Sequence, residues 1–183
     1  MSRESLRQAL ANRVVVADGA MGTMLQASNP TLDDFQGYEG CNEILNVTRP
    51  EMVAAVHTAY LDAGVDAIET NTFGANFANL AEYGIEDRIY ELSLTGARIA
   101  RQACDAYSQK NEAAPSRYVL GSMGPGTKLP TLGHTDYQTL KSAYKENARG
   151  LIDGGADALL VETAQDLLQV KAAVNGAREA IAE

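Results

Sequence analysis

The amino-acid sequence predicts an α/β fold built on parallel strands. Three observations carry that expectation. Short β-branched or aliphatic runs recur along the chain, they are near-continuous rather than alternating, and helix-period segments separate them. A strand that is apolar on both faces is covered on both faces, as in parallel sheets flanked by helices.

Four runs read as strands: VVVADG at 14–19, DAIETN at 66–71, YVLGSMG at 118–124 and DALLVET at 157–163. The first looks fully buried. A helix over 49–63 places Val53, Val56 and Tyr60 on one face, with Thr48 and Glu51 as a capping box and Gly64 as its stop. The stretch 85–107 aligns Ile85, Ile89, Leu92, Ile99 and Ala103. A third helix is capped by Thr135 or Asp136, turns Leu140, Ala143, Tyr144, Leu151 and Ile152 inward, and ends at Gly154–Gly155. The last starts near Thr163 and Asp166 and buries Leu167, Val170, Val174, Ala177 and Ile181. The segment 27–48 is the longest irregular piece. Its Phe35, Tyr38, Ile44 and Leu45 argue against disorder.

LDAGVDAIET (61–70) is echoed by IDGGADALLVET (152–163): helix end, glycine, Asp-Ala, strand, Glu-Thr. Such an echo suits a repeated βα architecture. With all connections right-handed and in simple order, the four helices would lie on one side of the sheet. Two architectures meet that condition or escape it: half of a (β/α)8 barrel, whose full form takes ~250 residues, or a doubly wound sheet with a reversed strand order.

The 183 residues include 15 basic and 24 acidic side chains, a formal charge of −9. That field disfavours binding to nucleic acid or an anionic membrane. No apolar run approaches the ~20 residues of a membrane helix, and MSRESLRQALANR lacks a signal-peptide core. A soluble cytoplasmic protein is the expectation. Cys41 and Cys104 form neither a disulfide framework nor a metal-ligand spacing.

In both architectures ligands bind at the carboxyl ends of the strands. Those ends are acidic: Asp18, Glu69 and Glu162 lie there without a lysine or arginine among them. An unpaired carboxylate in a closed site is costly, so a ligand cation is an economical partner. Asp18 divides evenly between holding substrate and closing its own turn; Glu162 alternatively caps the helix behind it. Glu69 reads as a structural cap or pair. Glycines after Asp18 would let backbone N–H groups approach an anion, so a ligand carrying both charges, an amino acid, suits the site. GSMGPGTK (121–128) departs from the phosphate-loop pattern, because Thr127 precedes Lys128 and no helix follows. Lys128 reads as solvated rather than as a Schiff-base lysine, His57 as a surface or boundary residue, His134 as helix-start packing, and Cys104 as core filler. Cys41 alone is a candidate reactive thiol, with nothing basic nearby to activate it.

The stretches ADGAMGTMLQ, GCNEILNVTRPEMV, AYLDAGVDAIETNTFGAN, GSMGPGTKLPTLGH and GGADALLVETAQDLLQVKAAV resemble the N-terminal homocysteine-binding barrel of the cobalamin-dependent methionine synthases. Betaine– and S-methylmethionine–homocysteine methyltransferases share the fold and fit less well. The resemblance implies that residues 1–183 are a single partial domain, the first half (about four βα units) of a TIM (β/α)8 barrel. It implies that Asp18 and Glu162 receive the amino group of homocysteine, that Gly19 and its neighbours lie near the carboxylate, and that Thr72 and Ser122 line the pocket. The family's zinc is held by three cysteines on later strands, which this sequence does not reach. Zinc and cobalamin are therefore expected in the longer enzyme and not on this chain alone, which by itself would lack methyl-transfer activity. Partners implied are the rest of the barrel, the folate and cobalamin modules, and other copies of the chain through an open half-barrel. The contrasting reading is a small stand-alone α/β amino-acid-binding module without catalytic activity.

Overall fold

The computed structural model describes residues 4–111 and 113–183. Its sheet contains β1 (Ala67–Glu69), β2 (Tyr118–Met123) and β3 (Ala158–Val161), parallel and in the order β1-β2-β3. Ala17 extends the series by one parallel bridge to Ala67. Spatial order therefore follows chain order without a reversal, and the sheet does not close. This is the start of a (β/α)8 barrel and not a doubly wound sheet.

The first strand is the main correction among the elements. VVVADG contributes that single bridge, and Val14 and Val16 are 82% and 53% exposed. An outermost strand has a neighbour on one side only, so nothing completes its ladder or covers its side chains.

Eight helices complete the described fold: α1 (Leu6–Asn12), α2 (Met21–Ala27), α3 (Leu45–Thr48), α4 (Pro50–Ala63), α5 (Phe77–Glu82), α6 (Ile89–Lys110), α7 (Tyr137–Asp153) and α8 (Leu167–Ile181). The long ones, α4, α6, α7 and α8, pack as neighbours in chain order. Ile68 and Val119 face them in a cluster with Leu61, Ala100 and Cys104. The other face is not wholly bare. Ala67 and Tyr118 turn to it and meet Ala9, with Leu6, Val15 and Leu120 beside them. Ser5 and Gln8 form the capping box that starts α1, a helix too short to show a periodicity in the sequence.

Other local expectations shift. Thr48 does not cap α4: its hydroxyl donates to the Ile44 carbonyl (3.2 Å), while Pro50 starts the helix and Glu51 pairs with Arg49 at 2.5 Å. Proline suits this position because its fixed φ is helical and its missing N–H would have no partner. Asp136 caps α7, as one of the two candidates, but Ile152 is at the surface. Asp166 caps α8, and Thr163 lies ahead of the helix, in the left-handed region at φ 55°.

The echo in sequence is an echo in structure. Asp66 and Asp157 each precede a strand and each accept from the preceding strand's backbone, from Val16 N–H at 3.0 Å and Val119 N–H at 2.8 Å. Each also pairs with an arginine, Arg13 at 2.9 Å and Arg101 at 3.0 Å. Gly64 and Gly155, at φ 100° and 94°, make the turns before them, a conformation that favours glycine. The segment 27–48 is ordered by short turns and α3, and buries Ile44 and Leu45.

Candidate functional site

Parallel strands bring all their carboxyl ends to one rim, so Asp18, Glu69, Ser122 and Glu162 arrive together although far apart in sequence. A cavity of about 330 Å³ opens there. Gly19, Ala20, Met21, Gly22, Ser122 and Glu162 line it, as do Glu69, Thr70, Asn71 and Phe73, with Asn42 and Glu43 from the long loop. No lysine or arginine is among these lining residues.

Glu162 follows β3 directly. One of its oxygens accepts from the Ser122 hydroxyl at 2.5 Å and the other from the Thr163 hydroxyl at 3.3 Å. It does not cap α8; Asp166 does, through the Leu168 and Gln169 N–H groups. Asp18 stands at the rim rather than in the lining. Its Oδ1 accepts from the Glu69 N–H at 3.0 Å. Burial pushes its carboxyl up to about 7, against the stabilising Glu69 N–H; the charges of Glu69 and Glu162 add to the rise.

Gly19 packs closely on α4: a Cβ there would sit 3.3 Å from the Tyr60 hydroxyl, closer than ordinary contact, and that hydroxyl donates to the Ala20 carbonyl. Thr72 is beneath the wall, not in it. It is buried, donates to the Ser122 carbonyl at 2.8 Å and lies 2.6 Å from the Thr70 hydroxyl. It thus ties the end of β1 to the end of β2.

Two lining carboxyls had no such role in the sequence reading. Glu69, expected to cap or pair structurally, faces the cavity; burial and the adjacent Glu162 carboxyl raise its pKa. Glu43 is buried, accepts from the Gly74 N–H at 2.7 Å and is shifted up by burial. Its only signal in sequence is an acid inside the otherwise apolar part of a long loop. Asn71 joins that loop to β1's end, donating to the Asn42 carbonyl at 2.9 Å and to Asn46 Oδ1 at 3.0 Å.

Several candidates lie elsewhere. Lys128 sits over the Phe77 ring, 5.0 Å from its centre, and does not line the cavity. His134 accepts from the Leu129 N–H within its own loop. His57 is fully buried rather than at a boundary. Cys41 and Cys104 belong to separate clusters, and burial beside Glu43 pushes the Cys41 thiol up to about 12, which leaves it protonated and unreactive. Among the described residues no three His, Cys, Asp or Glu side chains group to hold a metal ion. These two cysteines do not fit a zinc site.

An open parallel sheet in chain order with an acidic rim at its strand ends defines the beginning of a (β/α)8 barrel, and residues 15–182 match the homocysteine S-methyltransferase family. The chain belongs to that family. It is 60% identical over 176 residues to methionine synthase of Mycobacterium tuberculosis, covering 96% of this chain, and 58% identical over 178 residues to that of Mycobacterium leprae, covering 97%. The chain spans 14% of the length of each of these curated relatives. Among solved structures it is similar to the homocysteine methyltransferase MmuM from Escherichia coli. The metallated form has a TM-score of 0.75 at 28% identity over 91% of this chain and 60% of that one. The apo form has a TM-score of 0.72 at 25% identity over 95% and 59%. Among the described residues no helix is long and apolar enough to cross a membrane.

Proposed function

We propose that this chain is the homocysteine-recognising part of a methionine synthase, residues 1–183 forming the first half of its barrel. The observation that carries the reading is a cavity at the strand ends, lined by Glu162 and Ser122 with Asp18 at its rim, and with no cation among its lining residues. Asp18 and Glu162 receive the substrate ammonium. Each carboxylate about 4 Å from that cation gains ~4 kcal/mol in partly screened surroundings, before desolvation is subtracted. The Gly19–Gly22 backbone lies where it can meet the substrate carboxylate. Ser122 and Thr163 hold the Glu162 carboxylate in one orientation, and Thr72 supports Ser122 from below. Preorganised acceptors of this kind raise affinity because little side-chain freedom is lost on binding.

The whole reaction belongs to the longer enzyme: a methyl group passes from methylcobalamin, regenerated from 5-methyltetrahydrofolate, to homocysteine. This chain's cysteines do not fit zinc, so its own part is to bind and orient the amino-acid end. Glu162→Gln removes a charge without changing shape. It should weaken homocysteine binding by about 10- to 100-fold, the equivalent of one lost charge-assisted hydrogen bond. Calorimetric titration of wild-type and variant chains measures this. Equal affinities would overturn the assignment.

A further inference from the structure

The cavity at the strand ends is rich in acceptors and short of donors. Its lining offers the carboxyls of Glu43, Glu69 and Glu162, and four side chains able to donate: Asn42, Thr70, Asn71 and Ser122. All but one of these donors are committed. The Ser122 hydroxyl goes to Glu162 at 2.5 Å. Thr72 gives its proton to the Ser122 carbonyl, so Thr70 gives its own to Thr72, 2.6 Å away. The Asn71 amide uses both hydrogens, on the Asn42 carbonyl and on Asn46 Oδ1. That leaves the Asn42 carboxamide, which has no hydrogen-bond partner among the described residues.

The backbone of Asn42 is fixed while its side chain is free. Asn71 donates to the Asn42 carbonyl at 2.9 Å, and Asn46 returns the tie by donating to the Asn71 carbonyl at 2.8 Å. Next in the chain, Glu43 is anchored on the Gly74 N–H. The loop is thus held against the end of β1. A Cβ on Gly22 would lie 3.5 Å from Asn42 Nδ2, which sets that nitrogen beside the Gly19–Gly22 backbone. Asn42 also borders an outer cleft with Gln26 and Phe35, but Gly22 lines the strand-end cavity and not that cleft.

We propose that Asn42 recognises the α-carboxylate of the substrate, its Nδ2–H donating to a carboxylate oxygen while the ammonium lies on Asp18 and Glu162. The proposal rests on the amino-acid reading and deepens it: it names the side chain that tells an amino acid from a plain amine. An anion that enters a cavity of carboxyls loses hydration and needs a donor in return. A neutral amide supplies one without drawing off the carboxylates that hold the ammonium, as a lysine or arginine would. Because the loop is already tied down, little freedom is lost when the bond forms.

The test is calorimetric titration of wild type, Asn42→Ala and Asn42→Asp with two ligands. One is L-homocysteine; the other is aminopropanethiol, which keeps the thiol and ammonium but has no carboxylate. Asn42→Ala should bind homocysteine about tenfold more weakly, the loss of one charge-assisted hydrogen bond, and aminopropanethiol as wild type does. Asn42→Asp sets a like charge where the carboxylate would lie. It should weaken homocysteine further than Ala does, without weakening aminopropanethiol. A variant that merely folds poorly would lose both ligands alike. Where aminopropanethiol binds too weakly to measure, the order of the two variants on homocysteine decides. No loss in Asn42→Ala, equal losses on both ligands, or an Asp variant that binds homocysteine as tightly as the Ala variant would each overturn the proposal. The ammonium site would then still stand on its own test at Glu162. If wild type binds no homocysteine, both readings fall.

Discussion

His57 lies inside α4 with both ring nitrogens lacking a hydrogen-bond partner among the described residues. Burial alone lowers its pKa to about 4, against about 6.5 for the unfolded chain. Between those values the unfolded state binds the extra proton, so stability falls as pH drops through that window. The cost is about 2 kcal/mol between pH 7.5 and pH 5. Asp18 has the opposite sign: its carboxyl is raised to about 7, so the folded state holds the extra proton and stability falls as pH rises from about 4 to 7. His57→Met should remove the first dependence and leave the second. Urea unfolding at the two pH values tests it. A stability difference between variant and wild type that is the same at both pH values would show that His57 is not a buried neutral group. At this same scale Glu69 and Glu43 joined the site only through folding, because a lone acid carries no mark of what will face it.

At the scale of the element, α8 shows how a helix buries its small side. Periodicity in the sequence points inward with Leu167, Val170, Val174, Ala177 and Ile181. Of these only Ala177 is buried; Leu167 is 85% exposed and Ile181 67%. The inward face is Gln169, Ala172, Ala173, Gly176, Ala177 and Ala180. A Cβ on Gly176 would come within 2.6 Å of the Lys141 carbonyl and 2.9 Å of the Lys145 nitrogen in α7. The two helices approach so closely that backbone meets backbone, and a large side chain has no room between them. Gly176→Ala should therefore cost about 1–3 kcal/mol of stability by overpacking, whereas Leu167→Ser should change it by less than about 0.5 kcal/mol. Denaturant midpoints of the two variants decide it; the reverse order would restore the periodic face. The paired turns at Asp66 and Asp157 are the opposite case. Their repeated sequence and repeated hydrogen bonds agree, since a strand entry must satisfy the same backbone groups wherever it occurs.

At the scale of the molecule, the open sheet has two edges. β3 pairs only with β2, and residues 14–17 meet β1 through one bridge. The described helices leave Val14, Val16 and the half-buried β3 without full cover, although α1 closes part of the inner face. Such edges template pairing with another chain. The isolated chain should associate as its concentration rises, and Leu160→Lys on β3 should reduce that association. Sedimentation velocity across a concentration series measures both. A wild-type chain that stays monomeric throughout would count against association through the edges.

The order of strands and helices, the echo between the two Asp-Ala turns, and the acidic strand ends were all legible in the sequence. Each depends on short-range patterning or on residues that match the family over most of the chain. The shrinking of the first strand to one bridge, the small-residue face of α8, the burial of His57 and the entry of Glu43 and Glu69 into the cavity were decided by tertiary structure. These depend on which surfaces remain uncovered and how closely backbones approach, and both are set by residues distant in the chain.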